Sequence, residues 1–313
     1  MLRNIIQRFL LIPPALLAIN FLGFTYAHFA RPLRAKRIPY MSFVEDPGPL
    51  FPEYGNYLRT IFSPELRSIT QSGILESIKQ ATVASLGLLA LAMILSLVIG
   101  FLLGFRAVKH EPAGIARWLT FVSTSGLAMP SFYIGSLLIV ASVSYVVWAG
   151  PETDIPFPIQ GFGWDKHLVF PTIALMARPT MQIAQFTAGT LSGELNKQYV
   201  RAGRSLGQTW RSIRLKYAMR NIIAPVILTI TGSFRLLVWE LVVVEWLFAW
   251  TGLGRLLAQT LVPPLQTNSA ETLLFLDPQT VSTVLTVFGG LFLLTDIIAS
   301  IAVRSVDPRL RVN

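Results

Sequence analysis

The 313-residue chain has no cysteine, three histidines and only 13% charged residues, and each shortage removes a class of function. Without cysteine there is no disulfide framework, no thiolate nucleophile and no cysteine-based metal site. An ordinary soluble domain carries about 25% charged residues, so 13% excludes a normal water-soluble enzyme. The histidines do not fill the gap. His28, His110 and His167 lack metal-ligand spacing, and His110-Glu111-Pro112 does not begin a His-Glu-x-x-His motif. No Ser-His-Asp arrangement is suggested by spacing. The dipeptide Gly-Lys is absent, so no Gly-x-x-x-x-Gly-Lys-Ser/Thr phosphate loop exists, and Gly252-Leu253-Gly254 lacks the strand and helix of a dinucleotide fingerprint.

What the chain has instead is apolar sequence, 53% of its residues, gathered into long blocks. A helix needs about 20 apolar residues to cross a hydrocarbon core of about 30 Å. Six blocks of that kind occur, near Phe9–Phe29, Thr82–Phe105, Trp118–Trp148, Leu168–Leu191, Ile222–Trp250 and Val281–Val303. The expected fold is an all-α integral membrane protein with six transmembrane helices. The first block could be a secretory signal, since Arg3 and Arg8 precede it. Its length and the poor cleavage sequence Tyr26-Ala27-His28-Phe29 favour a retained helix. Tyr26, Trp148, Trp164, Trp246 and Trp250 fall near block ends, where amphipathic rings favour the membrane interface.

Charge sets the orientation. With the N-terminus inside, segments 1–8, 106–117, 192–221 and 304–313 hold fifteen Lys/Arg and three acids, and the opposite segments 30–81, 149–167 and 251–280 hold nine Lys/Arg and ten acids. The positive-inside rule then places both termini in the cytoplasm. Arg31, Arg34, Lys36 and Arg37 oppose this assignment and are outvoted. The net charge of +10 resides in the cytoplasmic segments, which marks topology and a basic loop, not a nucleic-acid surface. The expected organisation is an N-terminal segment with the first span over 1–30, an extracytoplasmic segment over 31–81, a permeating core over 82–303 containing a cytoplasmic loop at 192–221, and a tail over 304–313.

Several residues inside the blocks stand out. Arg178, Arg235, Glu240, Glu245 and Asp296 are charged, and a charge at the bilayer centre costs on the order of 2.5–3.5 kcal/mol, so they should face a partner helix or a wet cavity. For Arg235 and Glu240 the alternatives are mutual or interhelical pairing and lining of a pathway. Arg178, beside Pro179, could meet a substrate carboxylate or simply pair. Asp296 is assigned a structural role. Gly100 and Gly104 form a Gly-x-x-x-Gly pair that either admits a close neighbouring backbone or is fortuitous. Pro130, Pro171, Pro179 and Pro225 lie at or in the blocks and permit bends.

The loop from Glu194 to Asn221 carries seven Lys/Arg, yet it has helical periodicity. Tyr199, Ala202, Leu206, Trp210, Ile213 and Tyr217 recur at steps of three or four on one expected face, with Arg201, Arg204, Arg211 and Arg214 elsewhere. Gly207 suggests two short helices meeting at a turn. Such a helix could lie among lipid headgroups or dock on a protein.

The spelling of that loop, Gln198-Tyr199-Val200-Arg201-Ala202-Gly203-Arg204-Ser205-Leu206-Gly207 followed by Arg220-Asn221-Ile222-Ile223-Ala224-Pro225, resembles the coupling loop of ATP-binding-cassette importer permeases, in particular the dipeptide/oligopeptide family. Met129-Pro130-Ser131-Phe132-Tyr133-Ile134-Gly135, His167-Leu168-Val169-Phe170-Pro171, Val242-Val243-Val244-Glu245, Thr251-Gly252-Leu253-Gly254-Arg255-Leu256-Leu257 and Asp307-Pro308-Arg309-Leu310-Arg311 resemble further family motifs in the expected order. The resemblance implies a permease subunit in a prokaryotic inner membrane and, through the Val-Val-Val-Glu position, a role for Glu245 in gating or at a subunit interface. Tyr199, Arg201, Ala202, Gly203, Arg204, Leu206, Gly207 and Trp210 would engage an ATPase subunit. It further implies a homologous second permease, two nucleotide-binding ATPase subunits, an extracytoplasmic solute-binding protein, ATP and magnesium held by the partners and no cofactor on this chain. Peptides come first as substrate, with nickel, glutathione and oligosaccharides carried by related systems. The alternative is a secondary transporter or membrane-embedded enzyme without ATPase partners. Such a protein would show inverted repeats or paired intramembrane acids and histidines, and neither is visible.

Overall fold

A computed structural model describes residues 2–41, 47–62, 72–110, 113–150, 155–263 and 274–306. The helices are α1 (Leu2–Ala35), α2 (Leu50–Phe62), α3 (Ser72–Arg106), α4 (Arg117–Ala128), α5 (Ser131–Ala149), α6 (Val169–Leu195), α7 (Gln198–Ser205), α8 (Trp210–Leu247), α9 (Leu253–Leu261) and α10 (Pro278–Val306). A helix satisfies all its own backbone hydrogen bonds, which is what apolar blocks destined for lipid require. Among the described residues, five stretches are long and apolar enough to cross a membrane: Leu10–Ala35, Glu76–Arg106, Ser131–Ala149, Trp210–Leu247 and Pro278–Ile298. The expected fourth block forms α6, a helix of 27 residues whose arginine, glutamines, threonines and glutamate lower its apolarity.

Four sequence expectations change. The chain is not wholly helical, because Val108–His110 (β1) and Ala113–Ile115 (β2) pair as an antiparallel hairpin after α3. The block Trp118–Trp148 is not one helix: it divides into α4 and α5 at Met129-Pro130. Proline lacks the N–H that would continue the ladder and pushes its predecessor out of helical space, and Met129 accordingly sits at φ −93°, ψ 115°. The first helix continues beyond Phe29 to Ala35, which makes Arg31 and Arg34 helical. Trp250 does not turn its ring outward to lipid: it is fully buried, and its indole N–H donates to the Ala84 carbonyl at 3.2 Å. The Asp307–Arg311 ending lies outside the described residues.

The chain divides into two compact units. The first comprises Met1–Leu86 and Ala249–Leu294. Within it α2 is fastened to α1 and α10 by polar side chains around a ring cluster. Asn20 donates to the Tyr57 hydroxyl at 3.1 Å and to Thr286 Oγ1 at 3.0 Å, and accepts from Tyr54 at 3.1 Å. Ser282 donates to Tyr57 at 3.0 Å. Phe24 stacks on Tyr57 and meets Tyr54 edge-on.

The second unit comprises Gly87–Phe248 and Thr295–Asn313, and α6 runs through its interior. That helix packs against α4, α5, α8 and the hairpin. The Gly100/Gly104 pair is a packing device, which decides the alternative left open by the sequence. A Cβ built on Gly104 would lie 2.4 Å from the Ala184 carbonyl oxygen, and one on Gly100 2.7 Å from that of Thr180. Ser96, one turn earlier on α3, donates to the Met176 carbonyl at 3.1 Å. The absence of side chains at both glycines therefore lets α3 lie against the α6 backbone.

Gly104→Ala tests this contact against an internal control. Ala is favoured over Gly in a helix by about 1 kcal/mol, and Gly189 on the same α6 has nothing within 4 Å of its built Cβ. The Gly189→Ala protein should therefore melt at or slightly above the wild-type temperature in detergent. Gly104→Ala should melt several degrees lower, because the obstructing atom is backbone and the overpacking cost of about 1–3 kcal/mol exceeds the propensity gain. Equal midpoints would remove the close approach from the account.

Candidate functional site

Between Leu195 and Trp210 the chain makes a compact two-helix turn. α7 ends where Gly207 adopts φ +79°, the left-handed conformation that glycine takes without a Cβ penalty. The amides of Leu206, Gly207 and Gln208 return to the carbonyls of Ala202, Arg204 and Gly203. The next helix begins at Thr209, whose hydroxyl accepts from the Ser212 amide at 3.3 Å. Ile213–Ala218 then form a wider π-helical turn that leads into the rest of α8.

This geometry places the predicted loop residues in three groups. Val200 and Ile213 are the buried apolar contacts, and Gly203 lies against Ile213 with 3.5 Å from its built Cβ to Ile213 Cδ1. Arg201, Ala202, Arg204, Leu206 and Gly207 are exposed, Leu206 to 80%. Tyr199 and Trp210 are half-buried. Of the expected apolar face, Ile213 is buried and Tyr199 and Trp210 pack half-buried against the same cluster, whereas Ala202, Leu206 and Tyr217 are exposed, because the turn at Gly207 resets the helical phase. The arginines are also not uniformly directed outward. Arg204 donates to the Gln208 carbonyl at 2.7 Å and lies over the Trp210 ring at 5.0 Å, bracing the turn. Arg214 bonds the Phe105 carbonyl at the end of α3 and lies over that ring at 4.0 Å. Arg201 and Arg211 remain exposed.

The residue that organises the loop, Glu194, was not among the predicted site residues. Its carboxylate is buried at the end of α6 and accepts from the Tyr199 hydroxyl at 3.0 Å and from Asn221 Nδ2 at 2.6 Å. Its other oxygen pairs with Lys197 at 2.6 Å. One side chain thus joins α6, α7 and α8. Burial raises the Glu194 pKa, but the bonds from Lys197, Asn221 and Tyr199 outweigh it and hold the group below its ordinary value. Burial, then the bond to Glu194, pushes Tyr199 up to about 12. A usable signal was present in the sequence: Glu194 is the only acid among seven Lys/Arg in this segment.

The intramembrane charges form cross-helix pairs. Arg178 on α6 donates to Glu240 on α8 at 2.8 Å, and Arg235 on α8 pairs with Asp296 on α10. Mutual pairing of Arg235 with Glu240 does not occur. The first pair is single-bonded, leaving Arg178 Nε and Glu240 Oε2 buried without hydrogen-bond partners. Glu245 is fully buried on α8.

Comparison with known proteins bears on this arrangement. The family model described as "Binding-protein-dependent transport system inner membrane component" matches residues 96–312. The oligopeptide transport system permease protein AppB of Bacillus subtilis is 29% identical over 98% of each chain. The dipeptide transport system permease protein DppB of Lactococcus lactis subsp. cremoris is 26% identical over 84% of this chain and 81% of its own. The glutathione transport system permease protein GsiC of Escherichia coli O1:K1 / APEC is 26% identical over 88% of this chain and 92% of its own.

Glu194→Ala removes the charged acceptor shared by the half-buried Tyr199 hydroxyl and the Asn221 amide, a loss of about 1.5–3 kcal/mol in local stability. Trypsin should then cleave at Arg201 and Arg204 roughly tenfold or more faster than in wild type, with Glu194→Gln, which keeps one acceptor oxygen, in between. Because the folded carboxyl lies below its ordinary value, the clasp's contribution is complete above the usual carboxylate range. It is lost only as pH falls through the folded pKa. Cleavage rates should therefore be flat across neutral pH. Wild-type rates in Glu194→Ala would dismiss the clasp.

Proposed function

We propose a working mechanism for this chain from the premise that it belongs to the family of binding-protein-dependent transport system inner membrane components. It is a permease subunit of an ATP-driven importer, a multi-pass inner-membrane protein whose ATP hydrolysis is supplied by partner subunits. In the finer reading it has six spans, α6 being the one embedded among other helices, and both termini are cytoplasmic. It pairs with a homologous second permease. Two nucleotide-binding subunits, which hold ATP and magnesium, dock on loop 192–221, and an extracytoplasmic solute-binding protein delivers the cargo. Peptides are the proposed substrate class, after the names of the oligopeptide and dipeptide relatives.

The observation that carries this reading is the construction of the loop. Leu206 and the arginines Arg201 and Arg211 stand outward at its tip and flank. They offer a partner one apolar contact and cations suited to carboxylates. The base of the loop is rigid, because Glu194 fixes α7 to the end of α6 and to Asn221 within α8. Movement imposed by a closing ATPase pair would thus pass into α6 and α8 instead of being absorbed by a slack linker.

Farther along the same seam lies Arg178–Glu240, about 24 Å from Glu194 at 1.5 Å per residue along α6. Separation of α6 from α8 would break its one bond. The guanidinium and carboxylate would then face the pathway, where a peptide's terminal charges or amide groups can pair with them. Arg235 and Glu245 are assigned to the same moving helix, holding it to α10 and within the buried core.

Two measurements test the reading. Co-expressed with its neighbouring subunits, the chain should copurify with ATPase subunits. Arg204→Ala and Gly207→Val should leave ATPase turnover measurable while reducing solute uptake per ATP by roughly tenfold. Isolation without ATPase subunits, or full coupling in both variants, would refute the role. Since the chain has no cysteine, a single cysteine at Lys36 reports sidedness directly. It should be labelled by an impermeant maleimide from outside, and labelling only from the cytoplasm would invert the topology.

A further inference from the structure

Four cations, Arg31, Arg34, Lys36 and Arg37, follow the first span on the side that the positive-inside rule assigns to the exterior, and the transport role does not use them. The protein itself accounts for two. Arg31 Nη1 lies 3.8 Å from Asp277 Oδ1, and Lys36 is also engaged. Arg34 and Arg37 are exposed, and among the described residues neither side chain has a hydrogen-bond or ion-pair partner.

Their placement is helical. α1 ends at Ala35, but the Lys36 amide still donates to the Pro32 carbonyl and the Arg37 amide to that of Arg34, both at 3.1 Å, so the turn runs on. Residues three apart on a helical surface are neighbours, about 5–6 Å between Cβ atoms, and like charges there repel. An anion between Arg34 and Arg37 would replace that repulsion with two charge-assisted contacts. The face beneath them is apolar. Leu22, Tyr26, Phe29 and Leu33 recur at steps of four, three and four, all exposed, and a further step of four reaches Arg37. Exposed large apolar residues on α1 run from Leu10 to Leu33, a rise of about 34 Å at 1.5 Å per residue against a hydrocarbon core of about 30 Å. The two arginines therefore stand at headgroup depth, at the end of an acyl-facing stripe.

We propose that Arg34 and Arg37 bind the phosphodiester of an anionic phospholipid whose acyl chain lies along Leu33, Phe29, Tyr26 and Leu22. Guanidinium forks match phosphate oxygens, and cations close to a membrane surface attract anionic lipid. A zwitterionic headgroup fits less well. Its ammonium would lie beside two cations, and among the described residues no carboxylate pairs with either arginine to receive it. The continuity of the stripe with the cations favours a lipid over an acidic face of a soluble partner. The importer reading is needed only to name the leaflet, which is the outer one.

The test uses the full importer complex in phosphatidylcholine nanodiscs, its other subunits cysteine-free, with a bimane label on Phe29→Cys as the one thiol of this chain. Quenching by lipids brominated on the acyl chain gives their association constants relative to phosphatidylcholine. Phosphatidylglycerol should be preferred by roughly fivefold for each arginine at low salt, and less so as salt rises. Arg34→Gln and Arg37→Gln should each remove about one such factor, with melting unaltered, and the double variant should bring the ratio to about one. Phosphatidylethanolamine should behave as phosphatidylcholine does, and soluble glycerol phosphate should not alter the quenching. A wild-type ratio near one, an unchanged ratio in the double variant, or displacement by glycerol phosphate overturns the lipid site. So does a wild-type ratio near one joined to lost capture of the solute-binding protein in the double variant, which assigns the arginines to that protein. Coupled uptake under any of these outcomes leaves the permease role standing.

Discussion

The close packing of α6 is the constraint on which the second unit depends. A helix carrying Arg178, glutamines and several threonines is poorly suited to lipid, where each unsatisfied polar group costs several kcal/mol. It becomes tolerable only when neighbouring helices approach closely enough to satisfy or shield it. Gly100 and Gly104 on α3 give that approach directly to the α6 backbone. The carbonyls of Met176, Thr180 and Ala184 lie along the contact, the first accepting from Ser96. Small residues outside and polar residues inside are thus two halves of one solution, in which packing replaces the hydrophobic drive that lipid does not provide.

From that buried helix the loop inherits its rigidity. Glu194 lies at the end of α6, so the carboxylate that receives Tyr199, Lys197 and Asn221 is anchored to the best-packed element of the unit. Its bonds are charge-assisted and reach both the start of α7 and α8, which is more restraint than a surface ion pair of about 0–1 kcal/mol would give. The braces at Arg204 and Arg214 extend the same fixation to the turn and to the end of α3. What remains outward is Leu206 with its neighbouring cations, a small contact on a stiff mount.

How much of this was legible in the sequence depended on the range of the interaction concerned. Apolar blocks revealed the long helices because a membrane demands the same length everywhere, and Gly207 announced the loop's turn because positive φ is a local property. The division at Met129-Pro130 was readable in principle from proline chemistry but was masked by continuous apolarity across Trp118–Trp148. The identity of charge partners was not readable. Arg235 and Glu240 are five residues apart on α8, and the decision that they pair instead with Asp296 and Arg178 is taken by helices distant in sequence. The loop's apolar face was legible only in part for a related reason: Ile213, Tyr199 and Trp210 turn toward the core, while Ala202, Leu206 and Tyr217 do not. A helical wheel runs on through Gly207, while the chain there changes direction and brings Val200 and Ile213 inward.

The two polar clasps on the α6–α8 seam differ in a way that assigns them different duties. Glu194 is saturated, with both oxygens engaged and its charge favoured, so breaking it exposes an anion that has lost all its partners. Arg178–Glu240 has one bond made and leaves a donor and an acceptor without partners in the same pair. Opening the second therefore sacrifices less and lets both groups find water or solute, which lowers the cost of the open state relative to a fully bonded bidentate pair. A seam held by several bonds at Glu194 and by one at Arg178–Glu240 costs less to separate at the second end. The coupling proposed above, from the loop along α6 and α8, leads toward that less costly end.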